Sequence, residues 1–392
     1  PNVAILIPDT MGRACGGLCS TCQRMYDFQR GHLDFDYDKK KPQESWPDKL
    51  DRLMGYFKED TQLRDILITG GDALMSSNQS LQQILDAVYK MAKEKKEENK
   101  GRPQGDKYAE MVRVRLGTRL PVYLPQRIDD EMIEILKDFK EKARRLGIKQ
   151  FIIQTHIESP LEITDRTRHA IQKFLQAGWI VTNQLVFTAA ASRRGHTAQL
   201  RKILNDIGVL TYYTFSCKGF MENHRHFVPH ARAVQEQLEE KIYGVVSQDL
   251  QKQLNEYTDN VPTLKNKIDQ LRDEAGVDFL STDRNMLNLP AVGKSLTFRT
   301  IGLTWDGRRI LEFDHDPNRA HSPIIEKMGK VVIIESKSVS DYLDQLQKMG
   351  EDLEDYKGIY GYSMGATEQR APIYQYPEYE FETTDRISNL EV

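Results

Sequence analysis

Six short runs of apolar, mostly β-branched residues recur along the first half of the chain, each followed by a stretch with apolar positions at three- and four-residue steps. The runs are Val3–Ile7, Asp65–Thr69, Met111–Arg115, Gln150–Thr155, Trp179–Gln184 and Val209–Thr214. Short apolar runs bounded by turn residues predict buried strands. The stretches between them predict helices over Pro47–Lys58, Ser80–Glu97, Asp129–Leu146, Thr164–Ala177 and Thr197–Ile207. Met132, Ile133, Leu136 and Phe139 mark one such apolar face. Alternating strands and helices predict an α/β fold with a parallel sheet. Six units suit a partial (β/α)6 TIM-like barrel, and an open doubly wound sheet is the competing architecture.

Two stretches depart from this pattern. Lys93–Lys107 is densely charged and then rich in Gly and Pro, which predicts a helix end fraying into a solvated loop. His230–Val277 is polar with a stripe of Val234, Leu238 and Ile242, which predicts a helical insertion acting as a lid or an oligomer contact. Beyond it, Leu296–Phe313 reads as a hairpin turning at Asp306-Gly307, Val331–Glu335 as a strand and Ser338–Met349 as a helix. The tail from Ile373 is aromatic and acidic without periodicity, suited to wrapping the body or a neighbouring subunit. This gives a division into a barrel at 1–228, a helical insertion at 229–278 and a C-terminal α+β extension at 279–392.

The chain has 392 residues, room for one large barrel or two ordinary domains. Its net charge of −3 offers no field that would gather nucleic acid or an anionic membrane. No apolar run is long enough to span a bilayer, and no signal peptide is visible. The four cysteines make no disulfide framework, which points to a reducing, cytoplasmic setting. The chain enters its first strand almost at once from Pro1, so a further N-terminal segment is expected in the natural protein.

Three of the four cysteines, Cys15, Cys19 and Cys22, share one loop directly after the first strand. Four-iron clusters take cysteine thiolates as ligands, and three local thiolates leave one iron with an open position. An open position distinguishes a reactive metal site from a structural one. The C-x3-C-x2-C spacing resembles the radical S-adenosylmethionine superfamily. That resemblance implies a 4Fe-4S cluster whose open iron chelates S-adenosylmethionine and whose electron splits it to a 5'-deoxyadenosyl radical.

In parallel barrels reactive groups gather at the carboxyl ends of the strands. Here those ends carry Gly70-Gly71-Asp72, Gly117-Thr118-Arg119, Thr155-His156, Asn183-Gln184 and Phe215-Ser216-Cys217-Lys218. The two glycines let backbone approach a ligand, and the Asp72 carboxylate can take an ammonium group. Polar residues at every strand end are hard to explain as core.

With the cysteine loop, these segments, Leu124–Ile128, Glu162–Thr164 and Tyr212-Tyr213 resemble the lysine 2,3-aminomutase family, in order, from the first strand to about Lys294. The resemblance implies pyridoxal phosphate as a further cofactor, held as a Schiff base on Lys294 in Pro290–Lys294. It also implies that Gly70, Gly71, Asp72, Arg119, His156, Gln184 and Phe215 line the cofactor site, and that Arg24 pairs with the substrate α-carboxylate. The implied reaction moves an amino group from the α- to the β-carbon, with an electron donor such as flavodoxin or ferredoxin and a homo-oligomeric assembly.

Departures from the family bear on the substrate. Lysine aminomutases place aspartates where this chain has Lys218 and Asn288. A lysine cannot accept hydrogen bonds from a substrate ammonium and repels it. The pair resembles the glutamate 2,3-aminomutase variant, which implies L-glutamate as substrate and β-glutamate as product. The Ser20-Thr21 pair and the Met25-Tyr26 that follow Arg24 also differ from the family, whose phosphate-binding arginines lie upstream of the first strand. The C-terminal zinc cysteines of some lysine aminomutases are missing, so no zinc is expected. Three readings stay open beside this one: a mutase for another amino acid, a radical enzyme without pyridoxal phosphate, and a non-catalytic partner subunit.

Overall fold

The computed structural model describes residues 2–7, 15, 19, 21–22, 45–216, 221–229, 232, 270, 274, 281–283, 296–305, 308–315, 330–356 and 359. Its first half is a parallel sheet of β1 (Val3–Leu6), β2 (Asp65–Ile68), β3 (Arg113–Gly117), β4 (Gln150–Thr155), β5 (Ile180–Phe187) and β6 (Leu210–Ser216). The strands pair in sequence order, β1-β2-β3-β4-β5-β6, every pair parallel. A doubly wound sheet reverses its order at a switch point. No reversal occurs here, so the winding is that of a partial barrel. The helices between the strands are α1 (Trp46–Glu59), α2 (Asn78–Lys100), the single turn α3 (Leu120–Tyr123), α4 (Asp130–Leu146), α5 (Asp165–Gln176) and α6 (His196–Asp206).

Local chemistry sets these boundaries. Ser45, Ser77, Asp129 and Thr164 cap the N-termini of α1, α2, α4 and α5 through side-chain oxygens that accept backbone N–H groups. Gly147 stops α4 in the left-handed conformation at φ 105°. On the helix side of the sheet Phe139, Phe151 and Trp179 pack as one aromatic cluster, with Phe151 and Trp179 centroids 5.6 Å apart. The buried indole N–H of Trp179 donates to the Leu136 carbonyl at 3.1 Å. The opposite face of the sheet is polar near its floor. Asp65 accepts from Arg115 at 2.8 Å and Arg113 at 3.2 Å, and Arg113 also donates to Gln150.

The charged run after Ser80 departs from expectation. Instead of fraying, α2 continues to Lys100, and Lys95 is fully buried. Lys95 occupies the apolar stripe of Val88, Met91 and Ala92 and reaches the exit of α1. There Nζ donates to the carbonyls of Asp60 at 2.6 Å and Leu63 at 3.2 Å. Carbonyls at a helix end need donors, and a long amine supplies them from a neighbouring helix.

The C-terminal part forms a second, antiparallel sheet in the order β10-β9-β8-β7, from β7 (Ser281–Asp283), β8 (Leu296–Leu303), β9 (Arg309–His315) and β10 (Val331–Ile334). The predicted hairpin is β8–β9, closed by the Thr304 N–H donating to the Arg308 carbonyl at 2.8 Å. The helix α7 (Val339–Lys348) docks on the loop between β5 and α6. The hydroxyls of Tyr342 and Ser192 meet at 2.8 Å, and Tyr356 accepts from the Arg194 N–H at 2.8 Å. Among the described residues no helix is long and apolar enough to cross a membrane. Most of the expected insertion and the tail from Ile373 lie outside the described residues.

Candidate functional site

The carboxyl ends of β2, β3 and β4 meet around one arginine. Arg119 follows β3, and its backbone N–H donates to Asp72 Oδ2 at 2.6 Å. Its side chain then spends three donors on three different segments. Nε donates to the His156 carbonyl at 3.0 Å and Nη2 to Glu162 Oε1 at 2.6 Å. Nη1 donates to Cys19 Sγ at 2.9 Å. The cysteine loop after β1 is thereby joined to the ends of β3 and β4, as the strand-end rule requires of a barrel site.

Cys15 is exposed, and Cys19 and Cys22 are half-buried. None of the three is in a disulfide. The Cys22 N–H donates to the Cys19 carbonyl at 2.9 Å, which fixes a tight turn between the last two. Among the described residues no three His, Cys, Asp or Glu side chains converge on a point that would hold a single metal ion. Thiolates of an iron–sulfur cluster bind separate irons and stand further apart than ligands of one ion. The guanidinium at Cys19 Sγ suits an anionic sulfur. Three thiols on one loop, none of them in a disulfide and one met by a cation, form a donor set that fits such a cluster.

Gly70 and Gly71 take φ values of 112° and 79°, a path that side chains resist. Asp72, which follows them, is buried. Its carboxylate accepts from the N–H groups of Arg119 and Leu74 and from the hydroxyl of Tyr123. Burial pushes its carboxyl above the usual range, against the pull of hydrogen bonds from Thr118, Arg119, Leu74 and Tyr123. Its oxygens are thus engaged by protein donors that tie β2 to β3, rather than lying open to a ligand ammonium. Gly117 is pressed against Thr69, whose Oγ1 would lie 2.6 Å from an added Cβ.

His156 is half-buried at the end of β4 and hydrogen-bonded by the backbone of Gln184 at β5. Burial, helped by the nearby Arg119 charge, lowers its imidazole to about 4. Beside it Asn183 ties the strand ends together, accepting from the Ile157 N–H at 2.7 Å and donating to the Ile157 carbonyl at 2.9 Å. Phe215 is half-buried on β6 against Tyr213, with centroids 5.7 Å apart. Arg24, Cys217, Lys218, Asn288 and Lys294 lie outside the described residues.

Two acidic residues join the site that strand-end reasoning did not single out. Glu162 grips Arg119, and its second oxygen accepts the Glu158 N–H at 2.7 Å. Glu158 accepts the Val186 N–H at 3.1 Å, and its own carbonyl meets Nε2 of the buried His196 at 2.9 Å. Burial, and then the neighbouring Glu162 charge, raise the Glu158 carboxyl to about 8. The signal was present as two carboxylates four residues apart, just past a strand end.

Opposed shifts on Glu158 and His156 give a defined pH dependence. Glu158 keeps its proton to about pH 8 when folded but ionises near 4.5 when unfolded, so stability falls as pH rises through that interval. His156 is neutral down to about pH 4 when folded but charges near 6.5 when unfolded, so stability falls as pH drops through that interval. The two slopes cancel between pH 4.5 and 6.5, and from 6.5 to 8 only that of Glu158 remains. At about 1.4 kcal/mol per unit, this pair makes the folded chain lose roughly 2 kcal/mol over that last interval. Glu158→Gln is expected to flatten that decline in denaturant melts of the metal-free chain. An equal decline in the variant would contradict the assignment.

Comparisons with known proteins point the same way. No family model matches the chain. An uncharacterised KamA family protein of Methanocaldococcus jannaschii is 29% identical over 365 residues, 92% of this chain and 47% of that one. The glutamate 2,3-aminomutase of Clostridioides difficile is 31% identical over 214 residues, 54% of this chain and 42% of that one. The L-lysine 2,3-aminomutase of Bacillus subtilis is 31% identical over 206 residues, 52% of this chain and 36% of that one. This chain is a homologue of the 2,3-aminomutases. The matched region is less than half the length of each of these three relatives. Equal identity to a lysine and a glutamate enzyme does not discriminate between those substrates. A solved structure of anSMEcpe with bound AdoMet and a peptide aligns at TM-score 0.38 and 9% identity, covering 60% of this chain and 58% of that one. At that level the likeness carries no argument.

Proposed function

We propose that this homologue of the 2,3-aminomutases moves the α-amino group of L-glutamate to the β-carbon, giving β-glutamate. The observation that carries the reading is the seating of Cys19 on Arg119, which brings the three-cysteine loop to the strand ends. Cys15, Cys19 and Cys22 would hold a 4Fe-4S cluster, and Lys294 would hold pyridoxal phosphate. When bound, the cluster with S-adenosylmethionine supplies a hydrogen-abstracting radical, and the pyridoxal supplies an electron sink for the migrating nitrogen.

The chain's own residues bind and orient. Arg24 takes the substrate α-carboxylate in a two-pronged grip, and Lys218 with Asn288 takes the side-chain carboxylate. Gly70 and Gly71 let backbone approach the S-adenosylmethionine, with Asp72 holding their loop in place. His156, neutral near pH 7, adds no charge beside the cysteine loop. Phe215 and Gln184 complete the wall on β5 and β6. A reduced flavodoxin or ferredoxin would deliver the electron. The chain would work in the cytoplasm as a homo-oligomer, with residues 1–228, 229–278 and 279–392 as barrel, insertion and extension.

Lys294→Ala separates the two halves of this chemistry. The variant is expected to release 5'-deoxyadenosine under reduction while forming no β-amino acid, and to lose the visible band that pyridoxal phosphate gives the parent. A variant that still forms β-amino acid at the parental rate contradicts the role of Lys294.

A further inference from the structure

Arg119 does more than line a cofactor site. Its backbone is fixed by Asp72, and its guanidinium is held on two sides by Glu162 and the His156 carbonyl. Glu162 is itself fixed. It accepts the Glu158 N–H, and its own carbonyl accepts the Thr167 hydroxyl at 2.9 Å. With three anchors in place, the planar fork has little freedom, and Nη1 points at Cys19 Sγ from 2.9 Å. Two anchors would suffice to tie β3 to β4. The remaining donor meets a sulfur 100 residues away in the chain.

We propose that Arg119 is a positioning residue for the iron–sulfur cluster: aimed by Glu162 and the His156 carbonyl, it donates to the Cys19 sulfur and raises the potential at which the cluster accepts its electron. This rests on the cluster assigned to Cys15, Cys19 and Cys22 above. Reduction adds negative charge to a cluster and its thiolates. A cationic donor on one ligand sulfur stabilises that charge, and hydrogen bonds to sulfur are among the factors that tune such potentials. The half-buried setting limits the screening that would blunt the effect at the surface. A lysine would keep the charge but not the fork that reaches carboxylate, carbonyl and sulfur together.

The test is a potentiometric titration of the full chain, reconstituted anaerobically with iron and sulfide and followed by electron paramagnetic resonance. It is done without S-adenosylmethionine, so that any binding of that cofactor by Arg119 does not enter. The parent is expected to load iron. Arg119→Met is expected to titrate at a more negative potential, and Arg119→Lys between the two. Should Arg119→Met fail to load iron, Arg119→Gln takes its place, since it removes the charge but keeps a polar side chain of similar reach, and the same negative direction is expected. A loaded Arg119→Met, or in its place Arg119→Gln, that titrates at the parental potential overturns the proposal and leaves Arg119 a purely structural tie. A parent that binds no iron overturns the cluster reading itself, and this proposal with it.

Discussion

Alanine in place of Cys15, Cys19 or Cys22 is expected to leave a folded chain that makes neither β-amino acid nor 5'-deoxyadenosine. Loss of an outer partner of a metal ligand commonly costs about 10–100-fold. Loss of a ligand itself should exceed that, and activity should fall below detection. Folding should survive, because Cys15 is exposed and neither Cys19 nor Cys22 belongs to the buried apolar core. The check pairs iron content and S-adenosylmethionine cleavage with a thermal melt of the metal-free chain. A Cys19→Ala chain that still cleaves S-adenosylmethionine would contradict the assignment, as would a melt lowered as far as that of a core cavity variant.

The second large effect concerns substrate choice. If Lys218 pairs with the side-chain carboxylate of glutamate, Lys218→Asp leaves that carboxylate facing a like charge. Breaking a buried charge pair from one side costs about 2–5 kcal/mol, which is roughly 30-fold to several-thousand-fold in kcat/KM. Glutamate turnover should drop by that factor while reductive cleavage of S-adenosylmethionine continues. Adding Asn288→Asp supplies two carboxylates for an ammonium, and the double variant should shift toward lysine. Unchanged glutamate turnover in Lys218→Asp would remove Lys218 from the substrate site.

Much of the barrel was legible because each strand is a short apolar run between turn signals. β4 falls on Gln150–Thr155, as read from sequence. β3 begins two residues later than its apolar run suggests, because Met111 and Val112 lie before the ladder while Arg113 and Arg115 enter it. Those arginines are strand residues because Asp65 on β2 neutralises them, a pairing across 48 and 50 residues that no local pattern shows. The burial of Lys95, within the charged run Lys93–Lys107, is hidden from local pattern for a similar reason. Its charge suggested solvent, but the carbonyls it satisfies belong to another helix.

The candidate site was legible as a set of strand ends and much less so as a set of contacts. The strand-end rule brought Cys19, Asp72, Arg119, His156 and Gln184 into consideration, and the structure links them through Arg119 and His156. It could not show that Asp72 turns inward to protein donors, since a carboxylate after two glycines looks the same whether it faces a ligand or its own loop. Nor could it show that Glu162 aims Arg119. That depends on the loop after β4 folding back, with the Glu158 N–H holding the Glu162 carboxylate and the Thr167 hydroxyl holding the Glu162 backbone carbonyl.

The most direct test of the central claim is anaerobic turnover. The reconstituted chain, with pyridoxal phosphate, S-adenosylmethionine and a reductant, would be given glutamate and lysine in separate samples and followed by carbon nuclear magnetic resonance. The account predicts β-glutamate from the first and no β-lysine from the second. β-Lysine without β-glutamate would contradict the substrate assignment, and 5'-deoxyadenosine with neither product would contradict both named substrates while leaving the cysteine site standing.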